Sequence, residues 1–291
     1  MDSALIGQSL VSGLGIGCVY GLIGIGFCVI YNASGIVNFA QGAFVMLGGM
    51  ITHVLLVRGQ LPYFAAIVLS VLVVALLGVV IERLVVRPLW KRNAPMFVMI
   101  LATLAAQIVI ERLTFLAVDD QPKTLPVFTD LPPIMVGGVA VNIQSLWIVA
   151  GSLAIVGLLA LFFKGTRTGK AMRACAINRE AAALQGIPVH GMLALAFGLS
   201  AGLGAIAGIM LTPTQYTAFN VGVPFAISGF IAAIIGGFGR PFGAFLGGLT
   251  LGVVQSVAIL SFGAGLKTVV ALSVLLLFLF VRPSGILGAA K

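Results

Sequence analysis

The stretch LIGQSLVSGLGIGCVYGLIGIGFCVIY, residues 5–31, contains no charged residue. A membrane-crossing helix needs about 20 apolar residues to span about 30 Å of hydrocarbon, and this stretch exceeds that. Gly13, Gly17 and Gly21 recur at every fourth position, which lays bare backbone along one helix face for a second helix to approach. Asp2 precedes it and no basic region does, so it reads as a retained span rather than a cleaved leader. Further apolar segments follow at 36–57, 62–81, 95–118, 145–163, 191–211, 224–237, 242–261 and 266–281. The expectation is an all-α polytopic transmembrane bundle of eight or nine helices. The seventh segment is short enough to be re-entrant or broken.

Composition agrees. Of the 291 residues, 60% are hydrophobic and 8% charged, where a soluble domain carries about 25% charged residues to wet its surface. That excludes a soluble enzyme, a disordered chain and a nucleic-acid-binding domain, despite a net charge of +9. The basic excess is placed unevenly. Arg83, Arg87, Lys91 and Arg92 lie in 82–94; Lys164, Arg167, Lys170, Arg173 and Arg179 lie in 164–190; Arg240, Arg282 and Lys291 follow. If nine spans alternate, these twelve share one face of the membrane. Arg58, Lys123 and Lys267 take the other face, with Asp2, Asp119, Asp120 and Asp130. Basic loops stay cytoplasmic, so the N-terminus is expected outside (periplasmic) and the C-terminus inside (cytoplasmic). Residues 119–144, with Pro122, Pro126, Pro132 and Pro133, read as an ordered outer loop with short extended pieces. No linker or soluble domain interrupts residues 1–291, which form a single domain.

Other glycine pairs repeat the four-residue spacing, at Gly198/Gly202, Gly204/Gly208, Gly243/Gly247 and Gly248/Gly252. They suit ordinary close packing or a helix contact that moves in a transport cycle. Gly42-Ala43-Phe44 is faintly echoed by Gly243-Ala244-Phe245, a similarity that chance explains in Gly/Ala-rich helices. Cys18, Cys28 and Cys175 are dispersed and suggest neither a disulfide framework nor a metal site.

No catalytic constellation emerges. Glu111 and Arg112 are the charged residues set well inside an apolar span, and neighbours on a helix point apart. His53 and His190 have no carboxylate nearby in sequence. Gly165 to Lys170 resembles a phosphate loop superficially, but three residues separate its glycines where four are needed, and Ala171 follows the lysine. The chain is therefore expected to be no enzyme, with no catalytic residue, metal or cofactor of its own.

The basic loop carries the most information. From Lys164 to Arg179 the apolar pattern stops, residues 170–185 are strong helix formers, and Gly186 and Pro188 end the run. A short amphipathic helix is expected here. It would suit a groove on another protein or the lipid headgroups.

Glu180-Ala181-Ala182-x-x-x-Gly186 resembles the signature by which permeases of ABC importers engage their ATPases. The rest of the chain is similar to the branched-chain amino acid permeases of the LivH kind. The likeness is carried by Tyr20 to Gly26, Ile36-Val37-Asn38-Phe39-Ala40-Gln41-Gly42, Arg173 to Asn178, Gly236 to Ala244 and Arg282 to Gly288. Two departures are Gln41-Gly42, where the family often has Gly-His, and Asn178, where an acidic residue is more typical. The resemblance implies a bacterial inner-membrane importer for branched-chain amino acids or related small amides. Its partners would be a second, homologous permease, two cytoplasmic ATP-binding subunits that carry ATP and magnesium, and a periplasmic substrate-binding protein. Residues 173–187 would be the coupling helix, with Arg173, Arg179, Glu180, Ala181, Ala182 and Gly186 at the ATPase contact.

Asn32, Asn38 and Gln41 cluster between the first two spans, and Gln107 sits within 95–118. Buried amides at a helix break either satisfy freed backbone groups or line a polar passage. Gln215, Tyr216 and Asn220 are weaker candidates at the outer mouth. An ion-coupled transporter would need ionisable groups at depth, for which Glu111 is the sole candidate. A pore would need polar rings from identical subunits.

Overall fold

The computed structural model describes residues 3–136 and 138–288. Asp2 and Lys291, both used in the charge reading, lie outside them. The described residues form an all-helical bundle apart from one small hairpin. Its helices are α1 (Ser3–Ser34), α2 (Gln41–Val57), α3 (Tyr63–Ile81), α4 (Arg87–Lys91), α5 (Met96–Val118), α6 (Ile143–Gly165), α7 (Arg167–Ile177), α8 (Arg179–Leu184), α9 (Val189–Leu211), α10 (Gly222–Gly236), α11 (Pro241–Phe262) and α12 (Lys267–Val281). Strands β1 (Ile134–Val136) and β2 (Val139–Val141) pair antiparallel within the proline-rich loop. They are the extended pieces that its sequence suggested.

Among the described residues, seven helical stretches are long and apolar enough to cross a membrane: α1, α3 continued through α4, α5, α6, α9, α11 and α12 with the turn before it. α1 is the central post. It packs along α9, α10 and α11, while α2 fills the space between α3, α5, α9 and α10. The α1–α11 seam realises the glycine spacing. A side chain at Gly13 would meet Gly252 and Val253, at Gly17 it would meet Gly248 and Leu249, and at Gly21 it would meet Phe245. Bare backbones can approach this closely because nothing projects between them, and the contact is van der Waals throughout. Tyr20, Phe27, Phe44 and Phe197 are fully buried around the post. The peripheral helices instead present Leu72, Leu76, Leu116, Leu158, Leu161 and Phe280 outward, an apolar coat suited to hydrocarbon rather than water.

Two readings are corrected. Residues 82–94 read as a loop, yet the helix of α3 runs on through a π-helical turn, Glu82–Val86, into α4. A π turn pairs residues five apart, and Glu82 and Arg87 are five apart. The Arg87 guanidinium forks onto the Glu82 carboxylate with bonds of 2.9 and 2.8 Å, and Glu82 is fully buried. The second correction concerns the basic loop, where one helix was expected over 170–185. There are two, α7 and α8. Asn178 breaks them, because its backbone is extended and its side-chain oxygen accepts from Ala181 N at 3.0 Å, capping α8.

The loops gather at two ends. At one, Gln8 accepts from Ala140 N (3.1 Å), His53 Nδ1 donates to the Thr124 carbonyl (2.9 Å), Tyr63 donates to the Pro126 carbonyl (2.8 Å), and Lys123 and Thr217 exchange backbone bonds of 2.8 Å. At the other, Asn32 donates to the Gly239 carbonyl (2.8 Å), Arg87 to the His190 carbonyl (3.3 Å) and Arg240 to the Leu287 carbonyl. Every basic residue of 82–94, 164–190 and 237–288 outside Lys267 belongs to this second, basic end.

Candidate functional site

Two places combine the flagged residues with unusual structure. The first is the centre of the bundle. α2 and α10 have 17 and 15 residues, about 26 and 22 Å at 1.5 Å per residue, shorter than the hydrocarbon. Gln41, the first residue of α2, lies beside Gly26 of α1. That is eight residues, or about 12 Å, before the end of α1. Residues 35–40 therefore turn back into the bundle before α2 begins. α10 also begins inside it, since a side chain on Gly42 would meet the Gly222 carbonyl. The N-termini of two short helices thus meet at depth.

Such N-termini leave backbone N–H groups without helical acceptors, and in a water-free interior each needs a partner. Side chains supply them. Asn38 Oδ1 accepts from Ala40 N (3.1 Å), Thr103 Oγ1 from Phe39 N (3.2 Å) and Gln107 Oε1 from Ala43 N (2.6 Å). Thr103 and Gln107 are four apart on α5 and therefore share a face. Gln107 also donates to Glu111 Oε1 at 2.6 Å. Gln41 exchanges bonds with Ser200 of α9, donating to its carbonyl (3.2 Å) and accepting from its hydroxyl (2.7 Å). Asn38 is fully buried, and its Nδ2 has no partner among the described residues. Asn38, Gln41 and Gln107 thus converge, and Asn32 does not: it sits at the basic end on the Gly239 carbonyl. Beside the cluster, the rings of Phe27, Phe39, Phe230 and Phe238 pack edgewise or tilted at 5.6–6.3 Å.

Sequence reading missed Thr103 and Ser200. Thr103 had a signal, its four-residue spacing from Gln107; Ser200 had none, being far from Gln41 in sequence. Of the weaker candidates, Tyr216 is exposed at the end opposite the basic one, next to the Lys123–Thr217 bridge.

The second place is the basic end. α7 is capped by Thr166, whose hydroxyl accepts from Gly169 N at 2.9 Å, and it buries Met172 and Cys175 against the bundle. In α8, Ala182 faces inward, whereas Glu180 and Ala181 are exposed, as is Gly186 in the turn that follows. Arg179 is half-buried: its guanidinium stands 5.3 Å over the Trp90 ring and reaches Gly35 at the end of α1. Burial pulls the Arg179 pKa below its ordinary value and pushes the Cys175 thiol up; the guanidinium, with the highest pKa of any side chain, remains charged. Arg173 is exposed and borders a groove with Lys164 and Asn32. Gly186 has φ +77°, and a side chain there would meet nothing, so the left-handed turn rather than packing calls for glycine. Ile177 and Leu184 are 88% and 87% exposed. Two large apolar side chains thus point away from the bundle on the segment that carries the most charge.

A glycine-packed central post, broken helices at depth, an apolar coat and a protruding basic segment define a multi-pass membrane protein of the transport class. The family model described as "branched-chain amino acid transport system / permease component" matches residues 9–281, and the chain belongs to that family. It is 35% identical to the high-affinity branched-chain amino acid transport system permease protein BraD of Pseudomonas aeruginosa, over 97% of this chain and 95% of BraD. It is 29% identical to LivH of Escherichia coli K12 with the same coverage. It is 26% identical to the ribose import permease protein RbsC of Haemophilus influenzae, over 82% of this chain and 73% of RbsC. Among solved structures, PsaBC from Streptococcus pneumoniae in complex with Fab shares the fold. Its TM-score is 0.53 and its identity 14%, over 96% of this chain and 92% of that one.

Proposed function

We propose that this chain is the transmembrane subunit of an ATP-driven importer of branched-chain amino acids or related small amides in the bacterial inner membrane. One observation carries the reading: α8 presents exposed Glu180, Ala181 and Leu184 while Ala182 and Arg179 anchor it to the bundle. An anchored lever with an apolar, singly acidic tip suits a groove on a soluble partner.

On this reading the basic end is cytoplasmic, α2 and α10 complete nine crossings, and the N-terminus is outside. A second, homologous permease supplies the other half of the passage, two ATP-binding subunits dock on the α7–α8 segment, and a periplasmic binding protein meets the opposite end. ATP and magnesium belong to the partner subunits. Push on α8 reaches the centre through Arg179, which touches both Trp90 and the α1–α2 turn at Gly35. The Asn38–Gln41–Gln107 cluster is the constriction that this motion opens. The partner must favour one conformation over the other for the cycle to run.

The test is purification from native membranes in mild detergent. Two ATP-binding subunits and a second permease are expected in stoichiometric amounts. Glu180→Lys should abolish uptake while the chain still inserts and folds. Isolation of the chain alone, or unchanged uptake by that variant, contradicts the reading.

A further inference from the structure

A cavity of about 160 Å³ lies between α1, α10, α11 and α12, beside the first turn of α10 but lined by none of the central amides, and is bordered by Tyr20, Ser228, Gln255 and Lys267. Tyr20 and Gln255 are almost completely buried, and the Tyr20 hydroxyl donates to Gln255 Oε1 at 3.0 Å. The Lys267 ammonium stands 5.9 Å from the Tyr20 ring centroid. It makes no salt bridge among the described residues, which contain two, at Arg87–Glu82 and Lys123–Asp119. Gln255 is seven residues before the end of α11, about 10 Å inward from the end opposite the basic one. Val223, Ile227 and Ala271 supply apolar walls, and the first turn of α10 forms one edge.

Each group asks for something the chain does not provide. Lys267 is partly buried at the first residue of α12 and finds no counter-charge among the described residues, and the ring face beneath it offers only weak compensation. The Gln255 carbonyl has a second lone pair, and its amide nitrogen makes no hydrogen bond among the described residues. We propose that this cavity is a substrate station for an α-amino acid with a branched aliphatic side chain. This rests on the importer reading above and adds a site to it. The carboxylate pairs with Lys267, joined by the Ser228 hydroxyl. The ammonium meets the Gln255 carbonyl and the Tyr20 ring, which Lys267 vacates as it turns to the carboxylate. The aliphatic side chain lies against Val223, Ile227 and Ala271. The low dielectric around the site strengthens the ion pair, so an amine lacking the carboxylate is rejected.

The experiment uses the chain with its co-purified subunits in nanodiscs and a diazirine analogue of leucine as photoprobe. Peptides carrying residues 223–228, 255 or 267–271 should be labelled, with protection by leucine and none by isopentylamine. Lys267→Gln should cut labelling and ATP-driven leucine uptake about tenfold or more, the scale of a lost hydrogen bond to a charge. Lys267→Arg should retain most of both. Gln255→Leu, which leaves the charge in place, should weaken labelling as well, and subunit stoichiometry by size exclusion shows that each variant assembles. Labelling confined to other segments, or Lys267→Gln behaving as wild type, overturns the station. A wild-type importer that moves no amino acid overturns the functional reading itself, and the station with it.

Discussion

α1 and α12 are both uncharged through their apolar windows or nearly so, and have nearly equal hydropathy, yet 89% of the α1 window is buried in the protein and 6% of the α12 window is. Hydropathy identifies a helix that belongs in a membrane but says nothing about whether lipid or protein surrounds it. Glycine spacing does. α1 carries Gly13, Gly17 and Gly21 on the face that meets α11, whereas residues 267–281 contain no glycine. α12 has one buried residue, Ala271. Close packing inside a membrane is won by removing side chains, because lipid tails are as apolar as leucine.

The comparison can be broken at the seam. A side chain at Gly252 meets the Gly13 carbonyl and the Gly17 backbone, neither of which can rotate away. Gly252→Leu should therefore cost at least about 3 kcal/mol and remove the monodisperse protein peak on fluorescence-detected size exclusion. Leu276→Ala on the outward face of α12 should stay within about 0.5 kcal/mol. Equal losses would show that spacing does not set burial depth. Of similar size is the effect at the Glu82–Arg87 pair. Arg87→Ala leaves a buried carboxylate alone, at about 3–5 kcal/mol, and should lower the thermal midpoint in detergent, whereas Glu82→Gln with Arg87→Gln together should recover much of it. The smallest effect is expected at the centre: Gln107→Leu strands the Ala43 N–H for about 1–3 kcal/mol. If that variant also alters uptake far beyond its effect on melting, the amide belongs to the passage and not only to the cap.

Much of this was legible in the sequence, and the limits have physical causes. Long apolar runs, the glycine seam and the basic loop follow from patterns a few residues long. The π-helical turn does not, because Glu82 and Arg87 are five apart and no regular helix pairs that spacing. Asn178 was read as a departure from a motif, when its capping side chain splits the expected helix in two. The meeting of α2 and α10 was hidden because Gly42 and Gly222 are brought together only by the finished bundle. At the centre, the amides Asn38, Gln41 and Gln107 stood out as polar residues in apolar surroundings, but their partners Ser200 and Thr103 looked ordinary. Asn32 was grouped with them by sequence proximity, and the chain reversal at Gly35 separates it. Lys267 was counted only as a loop charge.

The central claim, that α8 is the contact through which a soluble ATPase drives this permease, is tested most directly at its exposed tip. A photo-crosslinking residue in place of Leu184, activated in intact cells, should capture a cytoplasmic ATP-binding subunit as the dominant product. Crosslinks only to lipid, or to a protein outside the membrane, would contradict both the coupling role and the orientation on which it depends.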